Sequence, residues 1–175
     1  MKLSELYKET LREAELTDIE QDVRMLANDL SAAIKSDLES EDNVNESLDP
    51  VSILSLLMAS NTMIHILSGW SIKILKKYNI GKGVEAAEKI HGFTHAIEDD
   101  FKTPIKRVIS LFTKDPESQN KITDGLFALL LLSLGVKCGA DAYRALMGSS
   151  VVSAGVSALK GMMKGVDIVG ILKKM

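Results

Sequence analysis

Apolar residues recur along this chain at intervals of three and four, and no stretch shows the strict alternation of a half-buried strand. Leu3, Leu6, Tyr7 and Leu11 predict a short helix over about 2–14. Thr17 and Glu20 then form a capping box, in which hydroxyl and carboxylate each satisfy a backbone N–H. The helix it opens carries Ile19, Val23, Leu26, Leu30, Ile34 and Leu38, a single narrow stripe with charge elsewhere. A narrow stripe buries one seam, which suits a helix lying on a partner better than one at the centre of a core.

The pattern fades over 36–50, SDLESEDNVNESLDP, which is acidic and lacks periodicity. Such a segment buries too little apolar surface to offset its ordering entropy and reads as a linker, placed at 39–49. The predicted organisation is an acidic helical arm over 1–38, the linker, and an apolar helical body over 50–175. Charge follows the same division: residues 1–49 hold 14 acids against 5 bases, whereas 50–175 hold 10 acids against 16 bases. The two parts attract each other or face different partners.

All three prolines follow a residue that caps helices well: Asp49-Pro50, Thr103-Pro104 and Asp115-Pro116. Proline at the first helical position loses no hydrogen bond, so each pair predicts a helix start. The expected body helices are about 50–78, 83–102, 104–113, 117–147 and 150–173, with stops at Asn79-Ile80-Gly81 and at Gly148. The fold class is all-α, a helical bundle with an N-terminal helical arm. Its apolar mass comes from aliphatic residues and methionine, with only 5% aromatics.

Three apolar segments bear on function. Residues 51–72 hold no charge and precede Lys73, Lys76 and Lys77, a length that matches a bilayer crossing. Eight serine, threonine, asparagine and histidine residues dilute it, which favours a core helix. Residues 126–136, LFALLLLSLGV, are too few to span, which favours a core helix over a helical hairpin in a membrane. Lys137, Asp141 and Arg144 follow, with Asp141 four residues from one cation and three from the other, so either can pair with it. Ser149, Ser153, Ser157, Gly161 and Gly165 recur every fourth residue and would line one side of a helix as a ridge that admits a close neighbour. Each such glycine costs about 1 kcal/mol of helix propensity against alanine, so a packing or membrane context is expected to compensate. These C-terminal helices carry more apolar surface and glycine than a lone small fold is expected to tolerate. That predicts cover by lipid or by a partner chain.

Candidate chemistry is sparse. Glu88, His91 and His95 share one helical face at spacings of three and four, a pattern that can hold a divalent metal. Gly92 stands where a zincin places its glutamate, so the more economical reading is a solvated face, with no metal and no cofactor. Cys138, the only cysteine, excludes an internal disulfide, fits a reducing compartment and lies in an apolar helix as an inert thiol. Gly81-Lys82-Gly83 lacks phosphate-loop spacing, and no basic stripe with interleaved aromatics points to nucleic acid. Met1 to Glu15 is charged throughout and lacks the apolar core of a secretory signal.

The opening MKLSELYKETLREAE, a short acidic amphipathic helix at the head of a small helical chain, resembles the starts of small virion or accessory proteins of tailed bacteriophages. The resemblance covers those 15 residues, assigns no residue a role, and implies assembly, scaffolding or ejection. The expected function is a non-enzymatic structural protein that associates with its own copies or a larger assembly. Contact would run through the stripe at Ile19, Val23, Leu26, Leu30, Ile34 and Leu38 and the ridge at Ser149, Ser153, Ser157, Gly161 and Gly165. Two alternatives are a membrane-active protein inserting 126–172, and a metal-dependent helical enzyme using Glu88, His91 and His95.

Overall fold

The computed structural model describes residues 20–32, 35–36 and 49–175. Every regular element among them is helical, as expected. Helix α1 covers 20–32, followed by α2 (Pro50–Ala59), α3 (Asn61–Lys77), α4 (Val84–Ser110), α5 (Pro116–Cys138), α6 (Ala140–Met147), α7 (Ser150–Met162) and α8 (Ile168–Lys174). The expected helix at 2–14, the capping box at Thr17, the stripe positions Ile19, Ile34 and Leu38 and the linker at 39–48 lie outside the described residues.

Helix α5 forms the axis of the fold. From Gly125 to Gly135 every residue is buried, and α2, α3, α4, α6, α7 and α8 all pack against it. A helix that is apolar on all sides finds a stable place only where it is covered on all sides. The core-helix reading of 126–136 therefore holds, and the expectation that the C-terminal helices need cover by lipid or a partner chain is corrected for α5, which the chain's own helices enclose. The buried polar groups along it are satisfied: Ser71 Oγ donates to Ser133 Oγ at 2.9 Å, and Thr123 Oγ1 donates to the Gln119 carbonyl at 2.6 Å.

Two of the three proline-marked starts stand. Asp49 and Asp115 cap α2 and α5 by accepting from Ser52 N and Ser118 N, each at 2.9 Å. Pro104 does not start a helix; it lies inside α4, and the two helices expected at 83–102 and 104–113 are one. Ile97, Phe101, Ile105, Val108 and Ile109 form one buried face across the proline. Burial of that continuous face outweighs the hydrogen bond the ring removes.

Three long helices expected from the pattern are broken instead. The 50–78 segment parts at Ser60, where the backbone turns extended and α2 and α3 meet at a bend of 68°. Ser60, Asn61 and Thr62 are residues whose side chains compete for backbone groups, and Ser60 Oγ caps α3 at Met63 N. The 117–147 segment parts at Gly139, with φ 113°, a conformation that side chains beyond glycine adopt only under strain. The 150–173 segment parts after Met162, and Gly165, with φ 81°, lies in the connection to α8. The break at Gly139 also separates Lys137 from Asp141, whose partner is Arg144 Nη1 at 3.6 Å.

Helix α1 lies on the body. Leu26 and Leu30 belong to the main core, and Val23 and Ala27 pack partly buried against it. Asp22 Oδ2 accepts from Trp70 Nε1 at 2.7 Å, and Asp29 Oδ2 accepts from Thr62 Oγ1, so both polar ties run to α3. Val23, Leu26 and Leu30 were expected to meet a partner, yet they face the molecule's own core.

Candidate functional site

Ser149 Oγ accepts from Val152 N at 3.3 Å and donates to the Leu146 carbonyl at 2.7 Å, setting the start of α7. Val152, Gly155, Val156 and Leu159 form the buried side of this helix, the spacing of a core stripe. They pack on α5 at very close range. A Cβ on Gly155 would come within 2.5 Å of both the Ala128 Cβ and the Asp124 carbonyl oxygen, and one on Gly125 would strike the Leu159 side chain. The close helix approach that the ridge motif predicted thus exists, but through Gly125, Ala128 and Gly155. Within the fold, Ser149, Ser153, Ser157, Gly161 and Gly165 do not make it. The step of three and four through 152, 155, 156 and 159 carried the signal, and the more regular step of four drew attention away from it.

The ridge residues face outward. Ser153, Ser157 and Gly161 are exposed, Ser149 is half-buried at the cap, and Gly165 lies beyond the end of the helix. Ser150, Val151 and Ala154 are exposed beside them, and Lys160 is the only charged residue on α7. An outward helix face so poor in charge is unusual on a chain that is 26% charged. No atom lies within 4 Å of where a Cβ on Gly161 would stand, so another helix could approach there.

Glu88, His91 and His95 are all exposed, and His95 Nδ1 lies 3.7 Å from Glu98 Oε2. Among the described residues no group of three or more histidines, cysteines and carboxylates is placed to hold a metal ion. The metal reading of Glu88, His91 and His95 therefore has no geometry behind it. Cys138 is buried, and desolvation pushes its thiol above the usual range, away from the thiolate that nucleophilic chemistry needs.

Two hollows flank α4. A cavity of about 90 Å³ lies between α3 and α4, with Trp70, Ile74, Ile97 and Phe101 below and Lys73, Lys77 and Asp100 at the rim. Its aromatic rings meet edge to face at 5.4 Å, and Lys77 Nζ lies 3.1 Å from Asp100 Oδ2. The second hollow, between α4 and α5, is polar and lined by Lys102, Lys106, Asn120 and Asp124. Lys102 Nζ lies 2.5 Å from both Glu98 Oε1 and Asp124 Oδ1, and Lys106 Nζ donates to Asn120 Oδ1 at 2.8 Å. Burial alone would lower the Lys102 pKa; the carboxylates of Asp124 and Glu98 outweigh it and raise it. These contacts tie α4 to α5 and do not present a reactive group.

Among the described residues no single helix is long and apolar enough to cross a membrane, although the bent pair α2–α3 meets the length and composition for it when taken together. No family model, curated protein or solved structure matches the chain.

Proposed function

We propose that the protein is a non-enzymatic helical assembly protein that associates with its own copies through the outward face of α7. One observation carries this reading. Ser150, Val151, Ser153, Ala154, Ser157 and Gly161 form an exposed helix face of small and uncharged residues, on a helix whose other side is already packed on α5. Small residues let two helix backbones approach closely, and the near absence of charge removes the desolvation that opposes such contact. The self-complementary pairing of one face with its copy is the commonest way soluble chains oligomerise. A component of a tailed-phage particle is the narrower form of the proposal, supported by the resemblance of residues 1–15.

Helix α5 supports this reading over insertion of 126–172 into a bilayer. Insertion would require withdrawing α5 from contacts with six other helices, whereas contact through α7 leaves the core closed.

Size-exclusion chromatography with light scattering over a concentration series tests the proposal. The expected result is a species larger than one chain that reverts to a single chain in Ser157→Glu, with the circular dichroism spectrum unchanged. A single chain at every concentration, or an oligomer indifferent to Ser157→Glu, removes the proposal.

A further inference from the structure

The C-terminal end of α8 is held by a polar clamp. Ser68 Oγ of α3 donates to the Met175 carbonyl oxygen at 2.8 Å. Lys137 Nζ of α5 donates to the same oxygen and to Ser68 Oγ, each at 3.2 Å. Three elements therefore meet at one point on the surface, and exposed aliphatic side chains flank it. Ile72, one helical turn beyond Ser68, is 44% exposed, and Val136, next to Lys137, is 48% exposed. Lys76 follows Ile72 by one turn, and Lys173 and Lys174 adjoin Met175; all three are exposed. Across α3, residues 125–138 of α5 and residues 149–175, the only acidic side chain is Asp167, which caps the opposite end of α8 by accepting from Gly170 N at 2.9 Å, while Asp22 and Asp29 of α1 reach α3 at Trp70 and Thr62.

We infer that this end of the molecule is a docking surface for an anionic membrane. Ile72 and Val136 would enter the headgroup boundary, while Lys76, Lys173 and Lys174 would meet lipid phosphates. Exposed aliphatic residues beside lysines of one sign are what an interfacial contact requires, because lysine stems lie along apolar surface and send the ammonium outward. An acidic protein partner fits less well. The surface has no arginine fork and no tryptophan or tyrosine, the residues that give protein contacts their geometry and most of their energy. Neither the outward face of α7 nor the core takes part, so the inference stands apart from the assembly proposal.

Co-sedimentation of the full chain with large unilamellar vesicles tests it, comparing phosphatidylcholine alone with equal parts phosphatidylglycerol and phosphatidylcholine. Binding is expected to the anionic vesicles at low ionic strength and not to the neutral ones. Each lysine removed should weaken it about 5-fold, so Lys173→Gln with Lys174→Gln should cost roughly 25-fold. Ile72→Ser keeps the charge and should weaken vesicle binding while leaving retention by soluble polyglutamate unchanged. Failure to pellet with anionic vesicles overturns the inference, as does equal binding to neutral ones or indifference to the double lysine variant. Binding to polyglutamate as tight as to anionic vesicles overturns it in favour of an acidic protein partner. All the altered side chains are exposed, and thermal melts of each variant confirm that the fold is retained.

Discussion

Gly155 and Ala128 meet across the α5–α7 interface at a separation that admits no methyl group, since a Cβ on Gly155 would stand 2.5 Å from the Ala128 Cβ. The Asp124 carbonyl oxygen closes the same space at 2.5 Å, and backbone yields less readily than the end of a flexible side chain. Gly155→Ala should therefore destabilise the fold by about 1–3 kcal/mol, the range for overpacking a filled site. Gly161, six residues on, faces open space, and Gly161→Ala should stabilise by up to about 1 kcal/mol through helix propensity. Urea denaturation of the two variants checks the opposite signs, and destabilisation of similar size in both would contradict the assignment of the α7 faces.

Pro104 lies inside α4 and supplies no N–H to the preceding turn. The helix is held across it by the buried face from Ile97 to Ile109. Pro104→Ala should raise stability by roughly 1–3 kcal/mol, because it restores a helical hydrogen bond and removes the ring's clash with the preceding turn. A higher thermal midpoint with an unchanged circular dichroism spectrum is the expected outcome. A lower midpoint would mean that the half-buried ring contributes packing that outweighs the bond.

Two groups give stability opposite dependences on pH. The Ser52 N–H holds the Asp49 carboxyl below its ordinary range; burial opposes it, and the Ser52 hydroxyl adds to the lowering. A carboxyl depressed by folding stabilises above its unfolded pKa, about 3.9, and that contribution is lost as pH falls through the folded value. Asp49→Asn keeps a capping oxygen and should flatten the loss of stability below about pH 4. Lys102 shows the reverse sign, its pKa raised by Asp124 and Glu98 despite burial. Its contribution is full below about pH 10.4 and is lost as pH rises through the folded value. Lys102→Met should cost about 1 kcal/mol at neutral pH and flatten the alkaline limb. Urea midpoints measured from acid to alkaline pH read both limbs, and identical profiles for wild type and variants would contradict these assignments.

Local pattern made most of the elements legible. Asp49-Pro50 and Asp115-Pro116 announced their helices because a capping carboxylate and a preset φ act within four residues. The stripe of Val23, Leu26 and Leu30 identified the inward face of α1, but not what it lies on. Thr103-Pro104 misled for the complementary reason: a proline's local cost was weighed without the burial that crosses it. Ser60 and Gly139 broke helices that periodicity had joined, because a break leaves apolar spacing almost intact while redirecting the chain.

From the sequence alone follow the helical class, the apolar segment at 126–136, and the supply of small residues near the C-terminus, since each depends on composition and spacing along one chain. Only the tertiary structure decided that α5 is enclosed by its own neighbours, that Gly125 and Gly155 make the close helix contact, and that Ser153, Ser157 and Gly161 face outward. Those are facts of burial, and burial depends on which helices meet. The energy of apolar contact does not depend on direction, so a greasy helix specifies that it is covered and leaves the choice of cover to the rest of the fold.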